Sequence, residues 1–364
     1  MTSLRVGFDV RPALFDYAGI GRYVRELAVA LTQLPEHEGP HLELFSNAWR
    51  PGGSLPPGMN ERRFRQRRSP TPFLAPGGAD VFHWTDYDYP KVRDGAAVMT
   101  LHDASFVMDP KFHGWDSARL LGRVRAAVNH ADKVIVPSLP ARDDAELLGA
   151  QEEQIVVVPH GVAPYFRPAE RPLPDSGYLL TVGTLEPRKN YLRLLLALER
   201  AWARDAAPDW LLIARRGWDY DEFLLRLESS RFRHRVRWVE SLPDAELLRA
   251  YQGALAFLFP SMHEGFGLAV LEAMACGVAP VVSVKTAAAW LAGASAMLVD
   301  PKDVDSIADG IERIVASHPW RRQAAAVALQ RAREFSRQRC AKETMAVYRS
   351  AIESHERHAA RAAV

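Results

Sequence analysis

The sequence predicts an α/β protein of two doubly wound parallel-sheet domains facing a central cleft. Three observations carry this. Short apolar runs alternate with longer amphipathic ones along the 364 residues. The short runs are apolar throughout, as in strands covered on both faces. The pattern also occurs twice, on either side of Tyr165–Gly177, YFRPAERPLPDSG, whose prolines and lack of apolar periodicity read as a linker. A chain of this length suits two domains of ~150 residues. Ligands of such Rossmann-like sheets bind at the carboxyl ends of the strands, which is where chemistry is expected.

Taken in order, the first half offers strands at Leu4–Val10, Leu42–Phe45, Val81–Trp84, Ala97–Leu101, Lys133–Val136 and Ile155–Val158. The second half offers Tyr178–Val182, Trp210–Ala214, Val236–Val239, Ala256–Phe259, Ala279–Ser283 and Ala296–Val299. Helical spacing appears between them, in Ile20, Tyr23, Val24, Leu27, Ala28 and Leu31, in Tyr191, Leu194, Leu195 and Leu198, and in Ile307, Ile311 and Ile314. Pro51–Gly58 reads as a loop and the tail after Glu356 as frayed.

Composition narrows the partners. Hydrophobic residues at 48% and charged residues at 25% exclude disorder, collagen and coiled coil. The 46 basic and 44 acidic residues leave +2, too little for a general nucleic-acid binder, so any anionic partner needs a local patch. The cysteines, Cys276 and Cys340, match no zinc spacing and no disulfide framework. The N-terminus has no signal-peptide core, and no apolar run approaches the ~18 residues of a membrane span. A cytoplasmic location is expected.

Four segments carry the chemistry. The strongest is Phe259–Gly277, FPSMHEGFGLAVLEAMACG. A strand end, a glycine turn and a helix over Leu268–Cys276 bring the amides of Gly265, Phe266, Gly267 and Leu268 to a helix N-terminus, which favours a phosphate. Glu264 precedes that helix. Glu272 lies inside it among Val270, Leu271, Ala273 and Met274, where ribose hydroxyls would supply the donors its carboxylate needs. The alternative for Glu272 alone is a solvent-facing side chain on an ordinary helix.

The second segment is Leu179–Glu199, LLTVGTLEPRKNYLRLLLALE. A strand ending in Val182-Gly183 is followed by Arg188-Lys189, a fork and a point charge suited to a diphosphate. By itself the pair also fits a solvated basic helix start. The third is Asp9-Val10-Arg11 followed by Gly19-Ile20-Gly21-Arg22-Tyr23, a glycine loop opening a helix without the spacing of a dinucleotide fingerprint. The fourth is His102-Asp103 at the end of the strand VMTL, suited to acid–base work or phosphate contact and equally to capping a loop.

At these residues the sequence resembles the retaining, GT-B-fold glycosyltransferases of family 4. The E-x7-E pair is Glu264 and Glu272, the glycine loop is GIGRYVREL and the His-Asp pair is His102-Asp103. VPSLPARDDAELLG and VVPHGVAPYFRP resemble the two segments before the linker, and VGTLEPRKN resembles a variant common in bacterial mannosyl- and rhamnosyltransferases of surface polysaccharides.

The resemblance implies a nucleotide-sugar donor, with GDP-mannose favoured, a hexosyl group transferred with retention to a hydroxyl of a glycan or lipid-linked acceptor, and no cofactor. It implies Lys189 with Arg188 and Gly183 at the diphosphate, Glu264 on the transferred sugar, the Phe266 and Gly267 amides on sugar and phosphate, and Glu272 on the ribose. His102 would sit by the transferred sugar, and Gly19, Gly21 and Asp103 on the acceptor or diphosphate side. Thr184 stands where many members carry Arg after the glycine, which shifts phosphate charge onto Arg188 and Lys189. The implied domains are 1–168, acceptor-side, and 169–344, donor-binding, with 345–364 returning to the first.

Metal-dependent transferases use an Asp-x-Asp site. Of the matches Asp86–Asp88, Asp219–Asp221 and Asp303–Asp305, only Asp219–Asp221 lies in the right part of the donor domain, and it also reads as the acidic start of a helix. Metal-independent transfer is expected, with charge on the leaving diphosphate stabilised by Arg188, Lys189 and the helix N-terminus. Two other readings remain open at this point: a nucleotide-sugar epimerase of the same fold, and a non-catalytic glycan-binding protein. Glu61–Arg68, ERRFRQRR, reads as a solvated basic loop or as a patch for an anionic membrane surface.

Overall fold

The computed structural model describes residues 3–15, 19–47, 55, 57–69, 77–87, 91–92, 94–112, 116–170 and 177–362. The chain groups into two units. One holds Met1–Ala104, Ser117–Gly161 and Phe335–Val364; the other holds Ser105–Asp116 and Val162–Glu334.

Among the described residues, the first unit has seven parallel strands: β1 Arg5–Asp9, β2 His41–Asn47, β3 Phe64–Ser69, β4 Val81–Trp84, β5 Ala96–Thr100, β6 Lys133–Val136 and β7 Ile155–Val157. Their order is β3-β2-β1-β4-β5-β6-β7. The side chains of β4, β5 and β6 are buried throughout, which is why these runs are uniformly apolar apart from His83, Thr100 and Lys133. The helix Ile20–Gln33 buries Tyr23, Val24, Leu27, Ala28 and Leu31, the spacing of one helical face. The long helix Arg337–Ala362 returns to this unit and packs on Ile20–Gln33 and β5, burying Cys340, Ala341, Met345, Tyr348 and Ala351.

The second unit has six parallel strands among the described residues: β8 Tyr178–Leu185, β9 Trp210–Arg216, β10 Val236–Val239, β11 Ala254–Phe259, β12 Pro280–Ser283 and β13 Met297–Val299. The order β10-β9-β8-β11-β12-β13 reverses between β8 and β11. A doubly wound sheet opens its ligand crevice at such a reversal, at the carboxyl ends of those two strands. The segments leaving β8 and β11 are the LEPRKN and FPSMHEGFG turns, so topology alone brings the two strongest motifs together. The helix Tyr191–Ala203 buries Leu194, Leu195 and Leu198 against this sheet, beside Ile307, Ile311 and Ile314 of Val304–Ala316.

Three expectations change. The tail after Glu356, read as frayed, is helical to Ala362 as the end of Arg337–Ala362. β8 runs on to Leu185, so Gly183 lies inside the strand rather than at its end. Glu61–Arg68 is not a loop: Glu61–Arg63 is a 3₁₀ turn and Phe64–Ser69 is the edge strand β3, paired with β2 from Leu42↔Phe64 to Asn47↔Ser69. The described polar side chains of this strand, Arg65, Gln66 and Arg67, have partners in the fold. Glu43 of β2 is 3% exposed, and Arg65 (3.2 Å) and Arg67 (2.9 Å) both pair with it. Arg63 donates to the Pro40 carbonyl. The Arg68 side chain, Asp88, most of Pro51–Gly58 and part of the linker lie outside the described residues. Cys276 and Cys340 are free and buried. No described helix is long and apolar enough to cross a membrane.

Candidate active site

In the second unit, the turn after β8 is set by proline and asparagine. Pro187–Lys189 forms a single 3₁₀ turn. Asn190 then takes the left-handed conformation at φ 62°, and its side-chain amide donates to the carbonyls of Pro260 (3.0 Å) and Pro301 (2.7 Å). The Met262 amide donates to the Arg188 carbonyl at 2.8 Å. These bonds hold the β8 turn against the β11 turn.

The charged side chains meet there. Lys189 Nζ lies 2.6 Å from Glu264 Oε1, and Arg188 Nη1 lies 3.0 Å from Glu264 Oε2. Arg188 Nη2 reaches Glu186 Oε1 at 2.6 Å, and Nη1 also donates to the His263 carbonyl at 3.1 Å. Lys189 Nζ stands 4.7 Å above the Phe259 ring. Glu264 is only 6% exposed, so desolvation strengthens each of these bonds.

Gly267 adopts φ 101° and starts the helix Leu268–Ala275, a conformation that a side chain would strain. Its carbonyl accepts from Val270 and Leu271, so the preceding amides of the first turn point out of the helix, with the positive end of its dipole. This helix buries Val270, Leu271, Glu272, Ala273, Met274 and Ala275. Glu272, 4% exposed, is therefore not solvent-facing, and Tyr251 donates to its Oε2 at 2.8 Å. Burial, and then Glu272, push the Cys276 thiol up to about 12, which makes it unreactive.

Gly183 has a packing role. A Cβ there would come within 2.7 Å of the Tyr191 hydroxyl. Among the described residues, the hydroxyls of Tyr191, Ser261 and Ser283 are buried with no protein hydrogen-bond partner, all at this carboxyl end of the sheet. The described Asp-x-Asp acids take local positions. Asp221 lies in the first turn of Asp221–Ser229, Asp303 Oδ1 caps Val304–Ala316, and Asp86 accepts from the Tyr87 amide. Among the described residues no three His, Cys, Asp or Glu side chains are placed to share one ion.

In the first unit, Gly19 (φ 51°) precedes the helix Ile20–Gln33 and accepts from the Tyr23 amide, while Gly21 is buried in the first turn. Arg11 folds back in a fork onto Asp9, at 2.8 and 2.7 Å. His102 Nε2 lies 3.0 Å from the Thr85 carbonyl; a carbonyl only accepts, so Nε2 carries the proton. Nδ1 is then the acceptor, 3.3 Å from His160 Nε2. Burial pushes His102 down to about 4 and His160 well below its ordinary value, so both are neutral at pH 7. Asp103 takes a separate partner, accepting from Tyr87 at 3.3 Å, and the next amide, Ala104, donates to Asp144. With both ring nitrogens bonded, His102 offers a fixed neutral imidazole rather than a proton donor.

The structure thus gathers Arg188, Lys189, Glu264, Gly265, Phe266, Gly267, Leu268 and Glu272 at one sheet end of the second unit, and His102, Asp103, Gly19 and Gly21 in the first. Sequence reasoning missed Glu186, Tyr251 and His160. Glu186 had a signal, a carboxylate two residues before Arg188. Tyr251 had none, because its helix Asp244–Gln252 and Glu272 are joined only by the fold.

Two family models match the chain: glycosyltransferase family 4 over residues 17–165, and glycosyl transferases group 1 over residues 166–331. The chain is 28% identical to the O-antigen chain mannosyltransferase B of Escherichia coli, over 95% of this chain and 100% of that one. In fold it is similar to the sucrose-phosphate synthase of Thermosynechococcus elongatus, with a TM-score of 0.78, 19% identity and coverage of 95% and 98%. It is similar as well to Anabaena HepE, solved with UDP and glucose, with a TM-score of 0.69, 15% identity and coverage of 94% and 98%. A paired family match from residue 17 to residue 331, with a full-length mannosyltransferase relative, places the chain among the family 4 glycosyltransferases of GT-B fold, enzymes that transfer a sugar.

Proposed function

We propose that this enzyme moves a mannosyl group, with retention, from a nucleotide-diphosphate sugar, GDP-mannose, to a hydroxyl of a glycan or lipid-linked acceptor on the cytoplasmic side. The observation that carries it is Glu264 held between Arg188 and Lys189, beside the N-terminus of Leu268–Ala275. Two cations and first-turn amides suit a diphosphate, and a carboxylate among them suits the hydroxyls of the sugar it carries. Buried Glu272 suits the ribose. Mannose as the sugar is supported by the mannosyltransferase relative.

Charge builds on the diphosphate as the glycosidic bond breaks. Arg188, Lys189 and the helix dipole meet that charge in a partly desolvated site, so a metal ion is not required. Departure assisted by the leaving phosphate on the face of attack accounts for retention without a covalent carboxylate. His102, neutral and fixed, acts here by position on the acceptor side. The unit bearing Glu264 is the donor side and the unit bearing His102 the acceptor side. Arg65 and Arg67 pair with Glu43 while keeping 60% and 35% of their side chains exposed, so they remain available to an anionic membrane surface in this reading.

A thermal-shift panel of GDP-, UDP-, TDP- and ADP-sugars tests it. GDP-mannose at ~100 times its dissociation constant should add ~2.7 kcal/mol of stability, and the other nucleotides less. Transfer should survive EDTA and give a product of retained anomeric configuration. Stabilisation by none of the four, or activity lost to chelator and restored by magnesium or manganese, would contradict this function or its metal independence respectively.

A further inference from the structure

Four ionised side chains meet at the carboxyl ends of β8 and β11 and neutralise one another. Arg188 is shared between Glu186 (2.6 Å) and Glu264 (3.0 Å), and Lys189 sits on Glu264 (2.6 Å). None of these side chains is more than 14% exposed. A diphosphate that takes both terminal nitrogens of Arg188 displaces carboxylates, and a buried carboxylate left without a partner is strongly disfavoured. Glu264 has new partners in the hydroxyls of the transferred sugar. Glu186, 7% exposed, has no such role in the donor-site reading and needs another partner once Arg188 is taken.

Tyr191 opens the helix Tyr191–Ala203 that follows this turn. Its hydroxyl is buried and has no protein partner, a state that native structures rarely leave without a role. The hydroxyl occupies the space that a side chain at Gly183, three residues before Glu186, would fill. Glu186 and Glu264 lie within electrostatic reach, since both add to the effect of burial in raising the phenol.

We propose that Tyr191 is a positioning residue of donor binding: its hydroxyl donates to Glu186 once the donor diphosphate has claimed Arg188. The exchange leaves no buried carboxylate stranded and releases the guanidinium for phosphate. This proposal rests on reading the site as a nucleotide-sugar site.

The test is calorimetric titration of GDP and UDP into the wild type, Tyr191→Phe, Glu186→Gln and the double variant, with thermal unfolding of each without ligand. Tyr191→Phe should unfold at or above the wild-type temperature, because it sheds an unpartnered polar group, yet bind the nucleoside diphosphate about tenfold more weakly. In the Glu186→Gln background that loss should shrink below about threefold, because a carboxamide left by Arg188 carries no charge to strand. A merely structural Tyr191 would lower unfolding temperature and lose the same affinity in both backgrounds. Wild-type affinity in Tyr191→Phe, or a full loss that persists beside Glu186→Gln, overturns the proposal. Failure of the wild type to bind GDP or UDP overturns the donor-site reading itself, and shows in the unsubstituted protein.

Discussion

Glu264 and Glu272 differ in what surrounds them, and this separates their roles. Glu264 sits on a turn between two cations; Glu272 sits inside a helix that is apolar all round, bonded to Tyr251. Glu272→Ala should weaken both nucleoside diphosphate and nucleotide sugar by about 1.5–3 kcal/mol, the range of a charge-assisted hydrogen bond. Glu264→Ala should lower turnover while nucleoside diphosphate binds at least as well as to wild type, because the cations lose their internal competitor. Equal losses of free nucleotide binding in both variants would contradict the assignment. The spacing of the two glutamates is visible in the chain, and so is the apolar setting of Glu272. Their pairings are not: Arg188 and Lys189 stand in a motif whose polar pattern also fits a solvated helix start, and Tyr251 reaches Glu272 only through the fold. What distinguishes the two is the burial of the Arg188 side chain, which depends on the β11 turn packing over it.

At the scale of elements, β3 is the instructive case. FRQRRS has no apolar alternation, so hydrophobic periodicity gives no strand there. It is a strand because it lies at the sheet edge, where charged side chains are tolerated and protect against further pairing. Arg65 and Arg67 then project toward Glu43 on the neighbouring strand. Replacing both with Ser should lower stability by about 1–3 kcal/mol, less than for a fully buried pair because the guanidiniums stay partly in water. The readout is the urea midpoint. Adding Glu43→Gln should recover much of the loss by removing the stranded charge, and an unchanged midpoint in the double arginine variant would refute the pairing. The helix Leu268–Ala275 is the opposite case. Gly267 and Gly277, both at positive φ, punctuate it at either end, so its bounds can be read directly from the chain.

The whole molecule divides its titratable chemistry unevenly. In the first unit, His83 is fully buried, bonded to Tyr348 (2.8 Å) and Thr100 (2.7 Å), and burial pushes it down to about 3. His102 falls to about 4, and His160 is also lowered. For each, the unfolded chain binds a proton below about 6.5 while the folded one does not, so stability is full above that pH and falls as pH drops toward the folded values. The slope is at most about 1.4 kcal/mol per pH unit for each group. Denaturant midpoints measured from pH 7.5 to 5 should fall on acidification, and His83→Gln should flatten part of that slope. A midpoint independent of pH over this range would show that the histidines are not held neutral. The bond from His83 to Tyr348 joins β4 to the returning helix Arg337–Ala362, so acid loosens a contact between segments far apart in sequence.

Local chemistry was enough to establish the alternation of strand and helix, the two parallel sheets and the glycine turn with its paired glutamates. Each depends on residues within a few positions of one another, through side-chain period, proline and glycine stereochemistry or a helix start. Long-range packing settled the rest. The strand order puts the turns after β8 and β11 side by side, and that adjacency turns Arg188, Lys189, Glu186 and Glu264 into one charge cluster. It also made an arginine run into an edge strand, gave Glu272 a tyrosine from a distant helix and locked His102 in its neutral form between Thr85 and His160. Charge state and hydrogen-bond partner depend on burial, and burial is set by segments that meet only once the chain has folded.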